Sequence, residues 1–103
     1  MDATEVIEEM VISNPNGIHV RPAAKLVQTL QQYDSEVTIK INQSQVNAKS
    51  IMSVLTLAAA QGSRLVVTCR GPEAERAMEA VRELIEGGFD DGEEVQEGSP
   101  EEA

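Results

Sequence analysis

From Glu36 to Ile41 the chain alternates without a break, with Val37, Ile39 and Ile41 on one phase and Glu36, Thr38 and Lys40 on the other. A period of two sends the two sets to opposite sides of a strand, so the pattern requires a sheet with one buried face and one wet face. Asn42-Gln43-Ser44 reads as a turn into a short returning strand over residues 45–48. The alternation recurs over residues 64–70, with Leu65, Val67 and Cys69 in phase, and more faintly over 8–13, where Met10 and Ile12 share a side. Between these stretches the period changes. Ala23, Leu26, Val27 and Leu30 fall at helical spacing over residues 20–31, with Pro22 in the first turn, where a missing N–H is tolerated. Lys49-Ser50 opens a second predicted helix, carried by Ile51, Met52, Val54, Leu55 and Ala58 and stopped near Gln61-Gly62. Gly71-Pro72-Glu73 opens a third, with Glu73 and Glu75 at the positive dipole end. Ala74, Ala77, Met78, Val81, Leu84 and Ile85 form its apolar stripe, and Gly87-Gly88 ends it. The order β-α-β-β-α-β-α predicts an α+β open-faced sandwich: a four-stranded antiparallel sheet with three helices packed on one face.

The charge of −10 is distributed unevenly. Residues 86–103 hold eight acids and no base, which leaves ten acids against eight bases in residues 1–85. The expected division is therefore a nearly neutral domain over residues 1–88 and an acidic, disordered tail over 89–103. No basic face and no aromatic platform is in view, which argues against nucleic acid as a partner. The single cysteine, Cys69, excludes an internal disulfide framework and a cysteine-based zinc cluster. Neither a leader pattern nor a run of eighteen apolar residues is visible, so a cytoplasmic protein that does not insert into membranes is expected.

The only histidine stands in Asn14-Pro15-Asn16-Gly17-Ile18-His19-Val20-Arg21-Pro22-Ala23-Ala24, at the mouth of the first predicted helix. A helix start offers outward amides and the positive end of the macrodipole, a ready seat for an anion. The N–H groups of Val20 and Arg21 would point at such an anion, and the Arg21 guanidinium can grip phosphate in a fork. Neutral imidazole is itself a nucleophile near neutral pH. The competing reading makes His19 a polar cap that satisfies local backbone donors. No second histidine or cysteine pair completes a metal shell, so neither metal nor cofactor is expected.

Gly17-Ile18-His19-Val20-Arg21-Pro22-Ala23 resembles the phosphohistidine signature of the HPr family, the phosphocarriers of the bacterial sugar phosphotransferase system. Lys49-Ser50-Ile51-Met52-Ser53-Val54-Leu55 resembles a second family segment at the family's spacing, and the likeness runs over residues 8–85. The resemblance implies that His19 accepts a phosphoryl group, on Nδ1 in the family, from phospho-enzyme I. It would pass the group to a histidine of sugar-specific IIA components, with Arg21 neutralising charge during transfer. It implies a carrier with a covalent intermediate rather than an autonomous enzyme, and a monomer.

Ser50 has two readings side by side: N-cap of the second helix, and the serine that HPr kinase/phosphorylase modifies in Gram-positive members of the family. The resemblance also implies a docking surface across the first two helices. Met52 and Leu55 are its candidate apolar contacts, and Lys25 and Lys49 its candidate charges. Against this stands the reading of Met52 and Leu55 as ordinary core. The run Glu86-Gly87-Gly88-Phe89-Asp90-Asp91 is similar to the nitrogen-related branch of the family, whose relay is regulatory, and that branch is the alternative function. A regulatory binder without phosphotransfer is disfavoured because His19 and Arg21 are both present.

Overall fold

The computed structural model describes residues 4–90. Strands β1 (Glu5–Val11), β2 (Glu36–Ile41), β3 (Ser44–Asn47) and β4 (Arg64–Arg70) form one antiparallel sheet in the order β1-β4-β2-β3. Helices α1 (Val20–Leu30), α2 (Ile51–Thr56) and α3 (Ala74–Glu86) cover one face of it, and a 3-10 turn, Gly88–Asp90, comes last. The expected open-faced sandwich is the observed fold.

Strand alternation decides which face is covered. Met10, Val37, Ile39, Leu65, Val67 and Cys69 are buried under the helices. The opposite phase leaves Ile7, Val11 and Val66 exposed on the bare side. Glu8 falls on the covered side of β1, where alternation alone would place an apolar residue. Arg82 of α3 resolves that conflict, gripping its carboxylate with Nε at 3.1 Å and Nη2 at 2.6 Å. The two-pronged pair gives each oxygen of the half-buried carboxylate a charged donor.

The larger departures from the sequence reading are three. β1 begins at Glu5 rather than near Glu8, because it pairs along the whole of β4, from Glu5 opposite Arg70 to Val11 opposite Arg64. α2 ends at Thr56, well short of Gln61. The amides of Leu57 and Ala58 reach back only three residues, to the carbonyls of Val54 (3.1 Å) and Leu55 (3.2 Å), and Ala58 turns left-handed at φ 50°. Helix propensity gives way there to a tertiary demand, since the carbonyl of Ala59 accepts the Ile18 amide at 2.9 Å. Finally, Phe89 is buried at 3% exposure and belongs to the core. The acidic stretch from residue 91 onward lies outside the described residues.

Among the described residues no helix is long and apolar enough to cross a membrane.

Candidate functional site

The loop before α1 is built from three interlocking constraints. Asn14 is buried and closes the turn on itself: its carbonyl accepts the Gly17 amide at 3.1 Å, and its side-chain amide donates to the Gly17 carbonyl at 2.7 Å. Gly17 has φ +68°, and a Cβ there would stand 2.1 Å from the Ala59 carbonyl oxygen. Only glycine allows both the backbone angle and the close approach. Ile18 is buried in the core, and its amide bond to Ala59 fixes the residue immediately before the histidine.

His19 is the N-cap of α1, extended at φ −111° and ψ −162° and half-buried. Its side chain makes no capping hydrogen bond, so the imidazole is not spent in the way the cap reading requires. The helix ladder begins with the Ala23 amide on the His19 carbonyl at 3.0 Å. The amides of Val20 and Arg21 precede that ladder and face out of the helix end, while Pro22 has no N–H and is buried. Arg21 is exposed and shares a helix face with Lys25, four residues on. No acidic residue occurs anywhere in α1. A half-buried imidazole, outward amides and two cations on one face suit an anion that is covalently held and then released.

The second group of candidate residues lies elsewhere. Gln31, just past the end of α1, donates from Nε2 to the Lys49 carbonyl at 3.2 Å, so α2 starts where α1 ends. Ala59, past the end of α2, meets Ile18 just ahead of α1, so the two helices run in opposite directions. Lys49 and Ser50 therefore lie towards the end of α1 remote from His19, and Met52 stands in the first turn of α2. Ser50 is the N-cap of α2, its Oγ accepting the Ser53 amide at 3.3 Å. The Lys49 ammonium donates to the Tyr33 carbonyl at 2.8 Å. Met52 is 72% exposed, whereas Leu55 is half-buried against the core.

Two contributors were not singled out from the sequence: the Ala59 carbonyl, which holds the loop, and the Asn14 side chain, which locks it. The density of turn formers at 14–17 is a signal for the second, but Ala58-Ala59-Ala60 carries none for the first. Among the described residues no group of three His, Cys, Asp or Glu side chains is placed to hold a metal.

Comparison with known proteins agrees with this geometry. Residues 6–87 match the family model described as the PTS HPr component phosphorylation site. The phosphocarrier protein HPr of Xylella fastidiosa (strain 9a5c) is 42% identical over 83 residues, 81% of this chain and 93% of that protein. The crystal structure of HPr-C-His from Thermoanaerobacter tengcongensis superposes with a TM-score of 0.77 at 37% identity, covering 84% of this chain and 94% of that one. An HPr dimer from the same organism matches at TM-score 0.66 and 38% identity, covering 78% of this chain and 92% of its own, so the monomer expected from the resemblance is not a fixed property of such folds. Fold, matched signature and relatives together place the chain in the HPr family, the phosphocarriers of the phosphotransferase system.

Proposed function

We propose that His19 accepts a phosphoryl group from phospho-enzyme I and donates it to a histidine of a IIA component. The carrying observation is an imidazole at the N-cap of α1 that makes no capping bond and is succeeded at once by outward amides and Arg21. In the forward step a ring-nitrogen lone pair of His19 attacks phosphorus. The donor's P–N bond breaks, and its electron pair returns to the donor ring. Each imidazole keeps the proton on its other nitrogen, so no external acid or base is required. What the protein must supply is alignment and charge neutralisation, which dominate phosphoryl transfer. The outward amides and Arg21 supply the second, and the Asn14 and Ala59 clasps on the loop supply the first.

Incubation with enzyme I and phosphoenolpyruvate should add one acid-labile phosphate, read by mass spectrometry, and His19→Ala should add none. Undiminished labelling of His19→Ala would overturn the assignment. Offering the charged carrier to purified IIA proteins of the sugar and nitrogen-related branches decides between the two relays by which one accepts phosphate. The run around Phe89 is the feature that favours the second branch. Ser50 is proposed as the regulatory serine because phosphate there would meet the start of α2. Incubation with HPr kinase and ATP should label Ser50, and absence of label would leave it a cap alone.

A further inference from the structure

The helices leave one face of the sheet bare, and strand register sets its side chains in rows. Glu5, Arg70 and Glu36 form the first row across β1, β4 and β2. Ile7, Thr68, Thr38 and Asn47 form the second, and Glu9, Val66, Lys40 and Gln45 the third. Val11 and Arg64 make a fourth at the far end of β1 and β4. Of the five exposed large hydrophobic side chains among the described residues, three stand here: Ile7, Val11 and Val66. The edges of the sheet offer less. β1 carries Glu5, Glu8 and Glu9, charges that oppose pairing with a further strand, and β3 has only four residues.

The rows are complementary to themselves. A two-fold axis parallel to the strands, over the seam between β4 and β2, stacks β4 of one copy on β2 of the other, row on row. Arg70 then faces Glu36 of the partner copy, and Glu36 faces the partner's Arg70. Thr68 faces Thr38. Lys40 lays its methylene stem on the partner's Val66 and reaches the Glu9 beside it with its ammonium. At the flanks β1 covers β3, with Ile7 against Asn47. Turning one copy end for end would stack Glu5 on Glu9, acid on acid. Moving the axis to the seam between β1 and β4 would leave β2 and β3 uncovered. Stacked sheets lie about 10 Å apart and about 30° from parallel, which offsets the outer rows by a few ångströms, within the reach of arginine and lysine.

We propose that the bare face of the sheet pairs with the same face of a second copy of this chain. The two sheets form the inner layers of the dimer and the helices its outer layers. His19 therefore stays open on both copies, and the pairing stands apart from the carrier reaction. The four strands span roughly 19 by 23 Å, so each copy covers about 440 Å². Stable complexes cover about 800 Å² per partner, so this dimer is weak and set by concentration.

The test compares amide spectra of the full chain at about 1 mM and about 20 μM, with sedimentation as the measure of mass. Signals of Thr38, Lys40, Val66, Thr68 and Arg70 should shift with concentration, and those of α1 and α3 should stay in place. Glu36→Arg and Arg70→Glu should each abolish the shifts, because like charges then face each other across the axis. An equimolar mixture of the two variants should restore them, since every facing pair again joins opposite charges. Unchanged helix signals identify each variant as folded. A chain that stays monomeric at about 1 mM, or whose shifts map to a sheet edge or a helix, overturns the proposal without any variant. A silent mixture of folded variants overturns it as well.

Discussion

Gly17 matters for the side chain it lacks. Its left-handed backbone and its approach to Ala59 leave no room for a methyl group. Gly17→Ala should cost about 2–4 kcal/mol, from the left-handed penalty and the overpacking together. Urea unfolding checks this through a lowered midpoint at unchanged slope. Arg21 is the opposite case, exposed and outside the core. Arg21→Gln should leave the urea midpoint within experimental scatter while slowing phosphate uptake about ten- to hundred-fold, as loss of one charge-stabilising group does. Rapid-quench kinetics would check it, and an unchanged rate would remove Arg21 from the transfer step. The placement of His19 and Arg21 at the start of α1 was legible because the whole motif is contiguous in sequence. The carbonyl of Ala59 was not, because backbone atoms 40 residues beyond His19 leave no mark in residue type.

At the level of the element, α2 is the informative case. Its apolar residues fall at helical spacing through Ala58, and periodicity alone extends the helix accordingly. The helix instead has six residues, because the chain after it is needed to hold the loop before α1. A helix this short has little intrinsic stability and leans on its cap and its packing. Ser50→Ala should therefore cost about 0.5–1 kcal/mol, the low end for an N-cap because the bond to Ser53 is long at 3.3 Å. Chemical denaturation would measure it. α1, α3, β2 and β4 were legible to within a residue or two because periodicity and burial agree there. β1 was not, since its length is set by its partner rather than by its own alternation.

For the molecule as a whole, the core is aliphatic apart from Phe89 and contains one titratable thiol. Desolvation of Cys69, aided by the nearby Glu8 carboxylate, raises its pKa from 9.0 to about 11. An unfolded chain loses that proton near pH 9 while the folded one keeps it. The contribution to stability is therefore complete below pH 9 and is lost as pH climbs towards 11. Urea midpoints at pH 8 and pH 10.5 should show a drop, and Cys69→Ala should show a shallower one; equal drops would count against this origin. The fold class was legible because the order of periods leaves few topologies to choose from. The place of Phe89 was not, since its acidic surroundings in sequence conceal its burial.

The sheet order β1-β4-β2-β3 carries a temporal consequence. The first strand made has no in-sheet neighbour until residues 64–70 leave the ribosome, and Ile18 has no acceptor for its amide until Ala59 does. Contacts that distant in sequence form late in folding. The nascent chain thus emerges with its histidine early but cannot set that histidine in place until synthesis has nearly passed the central strand, so a half-translated polypeptide lacks the assembled seat.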